Sequence, residues 1–497
     1  MSTKTLITLL TGPFLALIFT FFIELDPVHP EVSRTAGVAI WMAIWWITEA
    51  VPLAVTALLP IVLFPVLGIM SGKAVAPIYF NHIIFLFIGG FLVALTMQRW
   101  NLHRRIALRI LLWFGVRPQS ILLGFMVTTA FLSMWISNTA TTMMMVPIAL
   151  AIIMKLEDLI GRKKVRKYSI GIFLGVAYSA SIGGIATLVG TPPNLSFARI
   201  LNILFPSAPE ISFASWFIFA FPISFIFLLF LWGFLSLLFC PRKENFNIDI
   251  GIFKNQYEEL GSMSFEEKVV FVDFIALAFL WLTRADIQIG SFVIPGWSRL
   301  FPYPTFLNDG TVAIAMALLL FIVPSRQKQR ERILSWETAK GIPWHIVLLF
   351  GGGFALASGF RESGLAEWMG QHFTGIGSLH PVLIIALVCL FVTFLTELTS
   401  NTATTEMLLP ILGAVAIAIH INPLFLMIPA TLSCSCAFML PVATPPNAIV
   451  FGTDRLRIAD MAKVGIWLNL LGVVIITAAI FIIGRVVFDI DLSQLPS

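Results

Sequence analysis

Charge is what this chain has least of. Of its 497 residues only 11% are Asp, Glu, Lys or Arg, against 58% that are hydrophobic. Soluble domains carry about 25% charged residues, so that class is excluded. Cysteine is almost as scarce: Cys240, Cys389, Cys434 and Cys436 are the whole set. All four lie in or beside apolar segments. No His or further Cys completes Cys434-x-Cys436 as a metal pair, so they read as small packing residues. The first apolar run, Leu6 to Leu25, lacks a small-residue cleavage site and reads as a span rather than a cleavable leader. A net charge of +5 does not point to nucleic acid, because membrane proteins concentrate Lys and Arg on their cytoplasmic side.

Apolar runs long enough to cross a bilayer recur from end to end, so the chain is an all-α polytopic membrane protein. Within two of these runs stands the same hexapeptide, Ser137-Asn138-Thr139-Ala140-Thr141-Thr142 and Ser400-Asn401-Thr402-Ala403-Thr404-Thr405. Hydroxyl and amide groups at hydrocarbon depth need partners, because an unpaired one there costs several kcal/mol. The copies belong to a longer repeat. His82 to Phe91 aligns with His345 to Phe354 at an offset of 263 residues, and Asn138 and Asn401, Ser133 and Thr396, Pro147 and Pro410 keep that offset. Gly190-Thr191-Pro192-Pro193-Asn194 then meets Ala443-Thr444-Pro445-Pro446-Asn447 after a ten-residue shortening. Two adjacent prolines remove backbone donors and stop a regular helix, so each of these spans reads as two half-helices around an unwound loop. A further break is expected near Glu49-Ala50-Val51-Pro52.

The basic residues orient the chain. Arg99, Arg104, Arg105 and Arg109 precede the first hexapeptide segment, about 119–154, and Lys155, Arg162, Lys163, Lys164, Arg166 and Lys167 follow it. Both ends therefore face the cytoplasm, and the segment reads as a re-entrant hairpin with its tip at Ser137 to Thr142. Arg242 and Lys243 open a cytoplasmic loop over 241–268. Arg326, Lys328, Arg330, Arg332 and Lys340 mark another internal loop. The second hexapeptide segment, about 381–423, has no Lys or Arg and is expected to enter from outside. The two halves then form an inverted-topology repeat, with the N-terminus cytoplasmic and the C-terminus external.

Asn, Ser and Thr side chains, with carbonyls freed at broken helices, are hard oxygen ligands suited to a weakly held alkali cation. Half-helix N-termini favour an anion through their unpaired N–H groups and positive dipole ends. Two pseudo-symmetric tips suit a substrate with two anionic ends. Thr141, Thr142, Thr404 and Thr405 read as packing residues. Glu49, Glu397 and Glu406 are intramembrane acids, functional by default; for Glu397 a cation or proton role and a purely structural acceptor role stand side by side. His82 and His345 read as structural or interfacial. An intramembrane hydrolase using Ser137 or Ser400 would need a base within reach, and no His or Lys lies in either motif segment. A passive anion channel would need a continuous polar path, which two occluding hairpins oppose.

The paired Ser-Asn-Thr motifs, each followed by a Thr-Pro-Pro-Asn loop, resemble the divalent anion/sodium symporter family over nearly the whole chain. The resemblance implies eleven transmembrane helices plus two re-entrant hairpins, a homodimer formed through scaffold domains, and elevator-type alternating access. It implies sodium as the co-transported ion, with one site at Ser133, Ser137, Asn138 and the Gly190 backbone. A second sodium site falls at Thr396, Thr399, Asn401 and the Ala443 backbone. Substrate carboxylates would meet Ser137, Asn138, Thr139, Ser400, Asn401, Thr402, Thr444 and Pro445. The implied division is 1–98 scaffold, 99–203 first transport half, 204–240 sixth helix, 269–363 further scaffold and 380–490 second transport half. The function so implied is sodium-coupled symport of C4 dicarboxylates across the plasma membrane. Citrate or sulfate transport and sodium-independent dicarboxylate exchange are the alternatives.

Overall fold

The computed structural model describes residues 3–241, 251–289, 292–372 and 379–491. Arg242 and Lys243, on which the orientation of the 241–268 loop rests, lie outside the described residues. The described residues are mostly helical. Five stretches are long and apolar enough to cross a membrane: Gly72–Arg99, Arg162–Ile185, Phe213–Phe239, Asn401–Ala418 and Ile458–Val487. Shorter apolar helices, among them Leu6–Phe21, Pro118–Ser133 and Pro381–Thr396, accompany them.

The helix breaks lie at or ahead of the proline-bearing stretches. Helix Pro30–Thr48 stops at Glu49, whose φ of 47° is left-handed, and Pro52 has no N–H with which to continue it. Helix Arg162–Ile185 ends before the unwound stretch 186–191, and helix Pro192–Leu204 opens with proline in its first turn, where the missing donor costs nothing. In the second half, Leu424–Cys434 and Pro445–Phe451 flank the longer stretch 435–444.

Each hexapeptide opens the second helix of a helical hairpin. Pro118–Ser133 turns through 134–137 into Asn138–Ile160, and Pro381–Thr396 turns through 397–400 into Asn401–Ala418. Helix Arg162–Ile185 forms the centre. It is buried from Tyr168 to Ile185 and packs on both helices of the first hairpin, on Phe213–Phe239 and on Pro445–Phe451. Tyr178 ties the halves together, its hydroxyl donating to the Phe438 carbonyl at 2.6 Å. A second apolar cluster joins Trp46, Phe64 and Tyr79 to Leu349 and Phe360, and reaches Ala403 and Ala414 of the second hairpin.

Elsewhere the structure is more regular than the sequence suggests. The basic stretch after Arg99 contains the helix Leu102–Leu111, whose Leu102, Ala107, Leu108 and Leu111 are buried. Its Arg105 is buried too, because Nε meets Glu267 at 2.8 Å and the guanidinium also donates to the Leu260 and Gly261 carbonyls. The cluster Arg162 to Lys167 forms the first turns of the central helix rather than a loop. The 241–268 loop holds the helix Gly251–Glu259. The segment 284–308 carries a short antiparallel pair, Ile287–Ile289 with Phe292–Ile294.

Candidate functional site

The first tip is built around Asn138. Ser137 caps the helix that follows, its hydroxyl accepting from the Ala140 N–H at 3.3 Å. The Asn138 side chain turns back to Ser133, whose hydroxyl contacts Asn138 Oδ1 and also the Ala180 carbonyl at 2.7 Å. In this orientation three oxygens share one proton. Gly184 makes room for the amide: a β-carbon there would sit 2.7 Å from Asn138 Oδ1. The second tip repeats the arrangement. Thr396 Oγ1 lies 2.8 Å from Asn401 Oδ1 and 3.1 Å from the Cys434 carbonyl, again one proton among three oxygens. Ser133 and Thr396 are fully buried behind their asparagines.

The unwound stretches are locked by a second asparagine pair. Asn194 Nδ2 donates to the carbonyls of Gly184, Ile185 and Thr187. Asn447 Nδ2 donates to those of Ala437 and Leu440. Gly190 and Ala443, the backbone ligands predicted for the cation, sit three residues beyond Thr187 and Leu440. Their amides bond back to those carbonyls at 3.4 and 3.3 Å.

Glu397 has four donors. Its carboxylate accepts from the backbone N–H groups of Phe438, Met439 and Leu440 at 2.7, 2.8 and 3.0 Å, and from Asn469 Nδ2 at 2.8 Å. That is the structural acceptor role, exercised on the unwound stretch rather than on its own hairpin. Thr399 donates to the Leu395 carbonyl at 3.0 Å and lies 2.6 Å from the Thr404 hydroxyl. Its side chain is engaged, and its carbonyl is the group left for a cation. Thr142 and Thr405 each bond the carbonyl of the tip asparagine at 2.8 Å, as packing residues do.

Both tips open on one cavity of about 840 Å³. Ser137, Asn138 and Thr139 line it from the first half, and Ser400, Asn401 and Thr402 from the second. Gly190, Thr399, Ala443, Thr444 and Pro445 line it as well. Of the residues predicted for the site, only Ser133 and Thr396 are absent from the wall. The structure adds Thr191, which the ten-residue shortening makes the twin of Thr444, a signal present in the sequence. It adds Glu49, an intramembrane acid already conspicuous in the sequence, and Phe87, Phe91 and His345, for which the sequence carries no local signal of a place in the cavity; His345 is exposed.

The cavity divides its chemistry between the two kinds of segment. The first-turn N–H groups of the helices at Asn138 and Asn401 have no partners within their helices, so the tips present donors. The helices at Pro192 and Pro445 begin with two prolines each and lack those donors; Gly190 and Ala443 of their unwound stretches line the same cavity. Among the described residues no group of three or more His, Cys, Asp and Glu is placed to hold a metal ion.

The profile described as sodium:sulfate symporter transmembrane region matches residues 4–490. The chain belongs to the sodium:sulfate symporter family. Among its similar relatives are sodium-dependent dicarboxylate transporters SdcS. That of Staphylococcus saprophyticus is 42% identical over 98% of this chain and 93% of the relative. That of Staphylococcus aureus strain MRSA252 is 42% identical over 99% and 94%. Among solved structures, Neisseria gonorrhoeae MtrF superposes with a TM-score of 0.56 at 13% identity, covering 96% of this chain and 98% of that one. The Alcanivorax borkumensis YdaH transporter gives 0.54 at 12% identity, with 85% and 88% covered. At such identities these two speak to the fold alone. As a sodium:sulfate symporter family member the chain is a membrane transporter and not an enzyme.

Proposed function

We propose that this chain is a sodium-coupled importer of C4 dicarboxylates such as succinate, malate and fumarate, in the plasma membrane. The observation that carries the reading is the convergence of both Ser-Asn-Thr tips on one cavity. Two sets of helix N-terminal donors face that cavity, one for each carboxylate of a short diacid. Each proton-poor cluster, Ser133–Asn138–Ala180 and Thr396–Asn401–Cys434, offers oxygen to a sodium ion beside its tip. The 42% identity to transporters described as sodium-dependent and dicarboxylate-carrying supports the same substrate class.

In this reading the hairpins are re-entrant and enter from opposite faces. The two hairpins with their broken spans form the moving unit of an elevator, in a homodimer held by 1–98 and 269–363. The cavity wall includes His345, at the start of the helix after the basic loop 326–340, and Glu49. The basic loop that precedes helix Trp344–Glu362 marks its start as cytoplasmic, and in this reading the cavity opens inward.

Uptake of labelled succinate into proteoliposomes, with an inward sodium gradient against an equal choline gradient, tests the reading. Sodium-dependent uptake that is lost in an Asn138→Ala, Asn401→Ala double variant supports it. Uptake indifferent to sodium but requiring internal dicarboxylate makes the protein an exchanger and overturns the coupling. Uptake of sulfate or citrate without succinate overturns the substrate.

A further inference from the structure

The second hairpin buries an acid that the paired site does not use. Glu406 lies in the second turn of helix Asn401–Ala418 and has no exposed surface. One carboxyl oxygen accepts from the Ser196 hydroxyl on helix Pro192–Leu204. The other, Oε2, is buried without a partner among the described residues. The carboxyl lies against the bare Cα of Gly353 in helix Trp344–Glu362, and a β-carbon at that glycine would overlap it. The first half has no counterpart. The 263-residue offset carries Glu406 to Met143, which is 60% exposed. It carries Gly353 to Gly90, where a β-carbon would find its nearest neighbour at an ordinary 3.5 Å. The acid and its glycine are an addition to the repeat, placed where the second hairpin meets helix Trp344–Glu362.

The helices packed against Asn401–Ala418 carry charged and titratable groups, and these are engaged elsewhere or unpaired with Glu406. Arg199 donates to Asn202, Arg361 to the Ile203 carbonyl and Arg34 to the Leu67 carbonyl. His372 bonds the Trp368 carbonyl, Glu31 is near His29, and Glu397 holds the 438–440 backbone. His345, Glu362 and Glu367, with the buried thiols of Cys389 and Cys434, complete the set, and no ion pair to Glu406 is formed among the described residues. A carboxylate removed from water with one hydroxyl donor and no cation is far costlier than the neutral acid.

We propose that Glu406 is a proton-binding site at this seam. It holds its proton while the second hairpin is packed on helix Trp344–Glu362. When the two separate, the carboxyl reaches water, the proton passes to a water molecule, and the carboxylate is hydrated. Alkaline conditions therefore favour separation of the seam, independently of which anion the cavity takes.

Infrared difference spectra of the full chain in lipid bilayers, wild type against Glu406→Gln, test this. Glutamine keeps an oxygen for Ser196 and nearly the same shape, so the variant packs as wild type does. The expected result is a protonated-carboxyl band, sensitive to deuterium exchange, that is present in wild type at neutral pH and missing in the variant. Hydrogen exchange of peptides covering 344–362 and 401–418, corrected for intrinsic rates, is expected to rise with pH in wild type and stay flat in Glu406→Gln. Identical spectra, or identical pH profiles, overturn the proposal. Wild-type succinate uptake alongside identical profiles sinks the proton site alone. A pH-dependent seam without uptake sinks the transport reading alone.

Discussion

In the first half of the molecule the unwound stretch covers 186–191, and the Thr187 hydroxyl holds it to the Met134 carbonyl at 2.5 Å. In the second half the stretch covers 435–444, and Glu397, which takes the place of Met134, holds it through a carboxylate. The difference follows from length. A longer unwound stretch leaves more backbone N–H groups without helix partners, and a buried donor left unsatisfied costs about 1–3 kcal/mol. One neutral hydroxyl serves the short stretch; the long one needs an acceptor for three successive amides. Yet the groups delivered to the cavity are the same: an asparagine, a carbonyl and a helix N-terminus from each side. The repeat preserves what faces the cavity and lets the backing diverge.

That comparison can be broken or sharpened by substitution. The largest effect is expected at the tips themselves. Asn138→Ala and Asn401→Ala each remove an amide oxygen from a buried cluster, while the hydroxyl keeps its backbone carbonyl partner. A loss of about 1–3 kcal/mol in binding should lower sodium-driven uptake roughly tenfold to a hundredfold in either variant. A tip that tolerates the change would show that the halves are unequal in function as well as in backing. Next comes Glu397→Gln, which turns an amide group toward donors that a carboxylate now accepts. Charged hydrogen bonds contribute about 1.5–3 kcal/mol, so the sodium concentration for half-maximal uptake should rise several-fold. Thr187→Ala, the matching change in the first half, loses two neutral bonds, to the Met134 carbonyl and from the Gly190 N–H, of about 1 kcal/mol each, and should move it less. Equal effects would mean that the two stretches are held in the same way after all.

The glycines give a finer contrast, read from thermal unfolding in detergent. Gly353→Ala pushes a methyl into the Glu406 carboxyl and should cost about 1–3 kcal/mol. Gly90→Ala meets ordinary van der Waals distances and gains up to about 1 kcal/mol of helix propensity, so it should be near neutral. A fall in Tm for Gly90→Ala as large as that for Gly353→Ala would refute the asymmetry.

Much of this was legible before the structure because the signals were local. Helix Pro30–Thr48 ends before Pro52, and Pro192-Pro193 and Pro445-Pro446 open the helices Pro192–Leu204 and Pro445–Phe451, where their missing donors cost nothing. The repeat offset placed both asparagine–hydroxyl pairs in register. What was not legible depends on contacts distant in sequence. The sequence predicts the second break around 443–447, whereas the chain leaves helix at Ser435, because a carboxylate some forty residues upstream supports amides that helix bonds would otherwise need. Phe87, Phe91 and His345 join the cavity only because their helices pack beside the tips, and an apolar stripe does not say which neighbour it will meet. Arg105 stands in the sequence as one of several basic residues before the first hairpin, and only the fold brings Glu267 and two carbonyls to it.

A gap in a helix is often where a chain bends, but the gaps here are closed by the two lock asparagines. Asn194 takes three carbonyls from the end of one half-helix and its unwound continuation, while its own backbone belongs to the next half-helix. Asn447 takes two carbonyls, both within the unwound stretch 435–444. Flexing at either gap would strip several buried bonds at once. The broken spans are therefore splices rather than joints, stiff enough to hold Gly190 and Ala443 of the cavity wall in fixed relation to the tips. What these locks leave unbridged are the seams between packed helices, where Gly353 lies flat against its neighbour.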